Sequence, residues 1–238
     1  PKYSKYINNS IKNMIIGIPK EFLSNLTLEI KNNFYETIKL LKDLKTTIKY
    51  ITLPNINLSI PAYYTIAPAE CSSNLAKYDG IRYGQRCNNA LNIKDLYSKS
   101  RFENFGEEVI RRILIGTYVL SSSNYNDYYI KAQKIRAIIR NDYINAFKKV
   151  NIIIGPTTPT HAFKINSTKL SPTEMYKSDI YTCSVNLAGL PAISIPTGFI
   201  NNLPIGTQLI GNYFKETEIL NLAHQYQTKT TWHKIIPK

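Results

Sequence analysis

Ser72-Ser73 and Ser121-Ser122-Ser123 are the runs of hydroxyl side chains that could supply a nucleophile. A catalytic serine needs a base beside it and a strained, Gly-flanked turn that presents its oxygen. Neither run has flanking glycines, and both fall inside or at the ends of apparent helices, so neither is assigned to catalysis. Cys71, Cys87 and Cys183 form no CxxC pair, and His161, His224 and His233 are not at ligand spacing near them. That pattern predicts buried, inert thiols in a reducing compartment and no metal site. Among the charged groups, Glu108 and Arg112 stand four residues apart, the spacing of an ion pair on a solvated helix. Asn186, Gly189 and Pro191 end a helix by removing its means of continuing. The brief apolar run of Ala192, Ile193, Ile195 and Pro196 then reads as a strand.

The rest of the chain supplies elements to position such groups. Met14–Pro19 (MIIGIP) reads as a buried strand closed by proline. Over residues 26–45, Leu26, Ile30, Phe34, Ile38, Leu41 and Leu44 share one helical face. Thr47–Leu53 alternates and stops before Pro54. Strand, helix and strand of these lengths predict a βαβ-type unit in a layered α/β fold. Residues 60–78 read as helix with Pro68 at a kink or restart. Residues 79–104 read as a long loop holding one short helix at 93–98. Helices follow over 106–120 and 124–150, then a strand over 151–157. A helix over 172–188 starts from Ser171 as cap and leads into the turn at Gly189. A strand at 204–211 and a helix at 216–228 close the chain. MIIGIP, NIIIGPT and AISIP are too apolar for edge strands, so each expects a neighbour on both sides.

The chain has 238 residues and a net charge of +14. No apolar run approaches the ~20 residues of a membrane span. The basic residues are scattered among Asn, Ile and Tyr, as an AT-biased coding sequence produces, which weighs against a dedicated nucleic-acid patch. No repeat or linker composition interrupts the chain, so residues 1–238 read as one domain or part of one.

Several ordered segments resemble the amidase-signature family. GPTTPTHAF at 155–163, MYKSDIYTCSVNLAGLPAISIPTG at 175–198 and LPIGTQLIG at 203–211 look like amidases in general. PAYYTIAPAECSSNLAKYDGIRYG at 61–84, FGEEVIRRILIGTYVLSS at 105–122 and YYIKAQKIRAIIRNDY at 128–143 look like the branch of that family that serves tRNA-dependent amidotransferases. The resemblance implies a layered α/β/α amidase-signature fold, a mixed sheet flanked by helices, present here as the C-terminal part of a single amidase domain. It implies a glutaminase activity that releases ammonia from glutamine. The ammonia would pass to a partner, the amidotransferase's B subunit, which converts Glu-tRNA(Gln) to Gln-tRNA(Gln) with ATP and Mg, while a small C subunit clamps the two. No cofactor is implied on this chain. The compartment implied is the bacterial cytoplasm, with an organelle of bacterial descent second.

The family's Ser-Ser-Lys machinery, with its Gly/Ser-rich loop, normally precedes the MIIGIP strand, and this sequence has no such loop. Catalytic residues are therefore assigned to none of this chain. Substrate recognition is what the resemblance places here. Arg112, the second Arg of EEVIRRIL, matches the residue that binds the glutamine carboxylate. Asp179 of MYKSDIYT matches the residue that binds the α-ammonium, and Tyr63 of PAYY an aromatic lining the pocket. An amino-acid substrate needs such a cation and anion. Asn186, Gly189 and Pro191 would shape the floor of the site. Thr207 stands where a bulky apolar residue is usual, and Ser123 where Gly is usual. Two other readings are carried: a small-amide amidase of the same fold, against which Arg112 and Asp179 argue, and a non-catalytic remnant that only binds a partner.

Overall fold

The computed structural model describes residues 2–24, 26–165 and 171–237. They divide into two compact units. One comprises the residues up to Ile60 together with those from Arg136 onward, and the other Pro61–Ile135.

The first unit is built on a five-stranded mixed sheet. β1 (Ile15–Pro19), β2 (Thr47–Ile51), β3 (Ile152–Pro156), β4 (Ala192–Ile200) and β5 (Leu203–Gly211) lie in the order β2-β1-β3-β5-β4. β1 pairs in parallel with both β2 and β3. The expected βαβ unit is present: α1 (Leu28–Asp43) connects β1 to β2, and the Thr27 hydroxyl caps its start by accepting from Ile30 N–H. The 3.6 period of Phe34, Ile38 and Leu41 faces Ile16 and Ile18 of β1 and Ile152 and Ile154 of β3. The same cluster takes Ile219, Leu222 and Tyr226 from α8 (Glu216–Gln227). On the opposite sheet face the strands approach their cover closely. A Cβ on Gly17 would touch Val150, and one on Gly155 would collide with the Phe22 ring.

β5 runs antiparallel to β3 and to β4. The β4–β5 hairpin turns at Asn201 and Asn202, both at positive φ, a conformation asparagine tolerates well. Three expectations are corrected here. β1 and β3 have neighbours on both sides, but β4, which carries AISIP, is an edge strand among the described residues. It tolerates the position because Ala192 and Ser194 are exposed while Ile195 packs inward, and a register shift between Pro196 and Gly198 breaks the ladder. β4 is also longer than the brief run expected, because residues 198–200 continue the ladder opposite Leu203–Ile205 beyond the register shift. The helix expected over 172–188 is three pieces: α6 (Pro172–Tyr176), a 3-10 turn (Lys177–Asp179) and α7 (Cys183–Ala188).

The second unit carries α3 (Ile93–Asn104) and α4 (Glu107–Val119), with most of α2 (Ser59–Leu75). Pro68 lies inside α2, which continues through it. α3 is twice the length expected, because Asn92 caps it by accepting from Asp95 N–H at 2.9 Å and it runs on to Asn104. The loop before it is tied down by Asp79, which accepts from the N–H groups of Ile81 and Arg82, and by Arg101, which donates to the carbonyls of Leu75 and Tyr78. α5 (Lys131–Phe147) follows a π-helical turn at Tyr125–Ile130. Among the described residues no helix is long and apolar enough to cross a membrane. Cys87 and Cys183 are buried, and Cys71 is half-buried.

Candidate functional site

Arg112 and Tyr63 belong to the second unit. α2 and α4 can approach because Gly116 has no side chain; a Cβ there would collide with the Pro68 carbonyl. Ser72 Oγ and Thr117 Oγ1 share a hydrogen bond of 2.9 Å at the same crossing. One helical turn earlier on each helix, the Arg112 guanidinium lies 5.6 Å from the centre of the Tyr64 ring. Tyr63 packs edge-on against Tyr64, with centroids 5.2 Å apart.

Arg112 Nε donates to Glu108 Oε1 at 3.0 Å. The helical ion pair expected from the spacing is thus present, shared with Arg111, which also pairs with Glu108. Partial burial works against the Arg112 charge. The Glu108 hydrogen bond and charge, with the Tyr64 and Tyr63 hydroxyls, outweigh it and hold the guanidinium above its ordinary pKa. Only Nε is committed, and among the described residues neither Nη atom has a hydrogen bond. The pair fixes the plane of the fork.

Asp179, Asn186, Gly189 and Pro191 belong to the first unit. Asp179 is half-buried at the end of the 3-10 turn, and its carbonyl accepts from both the N–H and Oγ1 of Thr182. Two residues on, the Tyr181 carbonyl accepts from Gln208 Nε2 at 2.6 Å, and the same nitrogen donates to the Pro156 carbonyl at 3.2 Å. Gln208 is buried and so pins the Asp179 segment to the end of β3 and to the middle of β5. Tyr181 is buried edge-on against Phe22, 5.4 Å between centroids. Its hydroxyl has no hydrogen-bond partner among the described residues, and burial raises its pKa.

α7 is locked at both ends. Tyr143 OH and Ser184 Oγ share a buried hydrogen bond of 2.8 Å. At the C-terminus Arg136 Nε donates to the Leu187 carbonyl at 2.9 Å, and Tyr213 OH donates to the Ala188 carbonyl at 2.5 Å. Arg140 Nε in turn donates to Tyr213 OH. Gly189 sits at φ +71, with its N–H on Asn186 O and Leu190 N–H on Val185 O, a Schellman closure. Asn186 acts through its carbonyl, and its side chain is exposed. The Pro191 carbonyl accepts from Gly211 N–H and joins the turn to β5.

Gln208, Arg136 and Tyr213 went unassigned in the sequence. Gln208 was the one with a signal, a polar side chain inside an apolar strand. The unusual Thr207 is buried but satisfied: its hydroxyl meets that of Thr197 at 3.2 Å, and Thr197 donates to Asn33 Oδ1.

A mixed sheet of this order flanked by helices is the fold the chain shares with solved enzymes of the amidase-signature class. The family model described as "Amidase" matches residues 1–220, and the chain belongs to that family. Its more particular likenesses are to the A subunits of amidotransferases. It is 53% identical over 239 residues to the A subunit of the glutamyl-tRNA(Gln) amidotransferase of Vesicomyosocius okutanii subsp. Calyptogena okutanii (strain HA), covering 100% of this chain and 50% of that protein. The protein of the same name from Coxiella burnetii (strain Dugway 5J108-111) is 52% identical with the same coverage. The crystal structure of the glutamyl-tRNA(Gln) amidotransferase A subunit from Thermotoga maritima superposes with a TM-score of 0.69 at 37% identity, covering 91% of this chain and 42% of that one. A bacterial aryl acylamidase of the amidase-signature family matches with a TM-score of 0.75 at 14% identity, covering 98% and 47%, a likeness of fold alone. The chain spans about half the length of the curated relatives it matches.

Proposed function

We propose that this chain is the C-terminal half of the glutaminase component of a tRNA-dependent amidotransferase. Its part is to hold glutamine while the nucleophile comes from the other half. Arg112 takes the α-carboxylate, Asp179 takes the α-ammonium, and Tyr63 is an aromatic of the glutamine pocket. The Ser-Ser-Lys machinery lies outside this sequence, and the relatives' doubled length supports that reading. Ammonia released there passes to the B subunit, which uses ATP and Mg to amidate Glu-tRNA(Gln), with the C subunit joining the two. The cytoplasm is the compartment of such a complex.

The observation that carries this reading is the state of Arg112: charged, fixed at Nε by Glu108, and with no hydrogen bond at either Nη among the described residues. A neutral small amide needs neither that fork nor a carboxylate facing an ammonium, which disfavours the small-amide alternative. The experiment is ammonia release from glutamine by the chain alone and by the chain joined to the N-terminal half of one of the matched relatives. The chain alone should show none and the joined protein should turn over. Turnover by the chain alone that survives substitution of Ser72, Ser73 and Ser121–Ser123 would contradict the reading.

A further inference from the structure

At the C-terminal ends of β1 and β2 the first unit holds a cavity of about 330 Å³. Three lysines from distant parts of the chain line it: Lys20 directly after β1, Lys49 within β2, and Lys149 just beyond α5. Tyr50, 51% exposed, and Asn145 line it as well. The wall also has one carboxylate, Asp142. It is already engaged by Asn55, whose backbone N–H donates to Oδ2 at 2.9 Å and whose Nδ2 reaches both oxygens at 3.1 and 3.2 Å. None of the three lysines has a carboxylate partner among the described residues.

Many lysines of so basic a chain lack partners; these differ in converging on one cavity. Three like charges around a shared space repel one another and contribute nothing to the stability of the empty protein. An anion in the cavity would convert that repulsion into attraction. Strongly hydrated ammonium groups on flexible stems act as point charges, which suits the several oxygens of a phosphate. Exposed Tyr50 between them adds a face on which a base can stack, the pairing of cation and aromatic that single-stranded nucleic acid uses. The cavity also opens at the carboxyl ends of parallel strands, where α/β sheets place ligands.

We propose that this cavity is a phosphate-binding site, distinct from the Arg112 and Asp179 groups and independent of the glutamine reading. Its ligand is a phosphate group, free or carried on a ribonucleotide strand whose base rests on Tyr50.

The test compares the full chain with two triple variants of equal charge change: Lys20→Gln/Lys49→Gln/Lys149→Gln, and Lys5→Gln/Lys39→Gln/Lys42→Gln as control. All six positions are exposed, so both should fold. One arm measures thermal protection by inorganic phosphate. The other measures binding of a short fluorescent single-stranded RNA across a salt series. The cavity variant should lose the phosphate protection or bind RNA at least about tenfold more weakly, with the salt slope reduced by about two, as expected for three lost phosphate contacts on a single strand. The control should move each by no more than about threefold. Loss confined to the phosphate arm assigns a free phosphate or phosphomonoester, and loss in the RNA arm assigns the strand. If the two triple variants behave alike in both arms, the site does not exist.

Discussion

Gln208 donates to the Tyr181 carbonyl at 2.6 Å, and this one bond ties β5 to the segment that carries Asp179 two residues earlier. Its partner bond to Pro156 extends the tie to β3. Gln208→Leu should leave two carbonyls short of their donor in a buried place. Stability should fall by about 1–3 kcal/mol, the cost of an unsatisfied buried group. Gln208→Glu should be worse at neutral pH, since a carboxylate offers no donor to either carbonyl, and should recover in part on acidification. Urea midpoints for the two variants test this, and an unchanged midpoint for Gln208→Leu would show the bond to be dispensable.

Glycine serves two different ends in this fold. At Gly116 the backbone is helical, and the constraint is the Pro68 carbonyl that a Cβ would strike. Gly116→Ala should therefore destabilise by a few kcal/mol, in spite of the ~1 kcal/mol that alanine gains over glycine in a helix. At Gly189 an added Cβ would meet no atom within 4 Å, and only φ +71 resists a side chain. Gly189→Ala should cost about 1–2 kcal/mol, and Gly189→Asn less. Thermal melts rank the three, and the account fails if Gly189→Ala is the most harmful.

Two buried tyrosines predict opposite responses to loss of a hydroxyl. Tyr143 shares a hydrogen bond with fully buried Ser184, whereas the Tyr181 hydroxyl has no partner among the described residues. Tyr143→Phe should destabilise by about 1–3 kcal/mol, because it orphans Ser184. Tyr181→Phe should be neutral or stabilising.

Burial also raises both tyrosine pKa values above the ordinary 10.0. A group whose pKa is higher in the folded state adds stability that is fully present below its unfolded value and is lost as pH rises above it. Unfolding should therefore become easier above about pH 10, and Tyr143→Phe should flatten that alkaline decline. An equal decline in both proteins, followed by chemical denaturation across the alkaline range, would contradict the assignment.

The sheet and its facing helices could be read in advance because burial leaves a period in the sequence. Phe34, Ile38 and Leu41 repeat at helical spacing, and the apolar runs of β1 and β3 end at prolines. The end of α7 was readable for a similar reason, since Gly189 and Pro191 each forbid continuation by local geometry. What escaped depended on distant partners. Arg136 from α5 and Tyr213 from the turn after β5 close α7, and nothing near either residue announces it. Lys20, Lys49 and Lys149 look scattered along the chain and meet only once β1, β2 and α5 are folded. The length of α3 was hidden by exposed apolar residues such as Phe102, which blur the amphipathic stripe. Around Arg112, the Glu108–Arg112 spacing gave the ion pair. The role proposed for Arg112 comes from its motif, whereas its contact with Tyr64 depends on the helix crossing at Gly116.

The most direct test of the central claim is kcat/KM for glutamine against a small amide lacking the α-carboxylate and α-ammonium, measured on the chain joined to a relative's N-terminal half. Truncating one side of a buried charge pair typically costs about 2–5 kcal/mol, on the order of a hundredfold or more in kcat/KM. Arg112→Ala and Asp179→Ala should each lose that much on glutamine and little on the small amide. Arg112→Lys should recover only part of the loss, because an ammonium cannot reproduce the two-bonded fork. Glutamine turnover near the unsubstituted level in Arg112→Ala would make Arg112 a surface partner of Glu108 and nothing more.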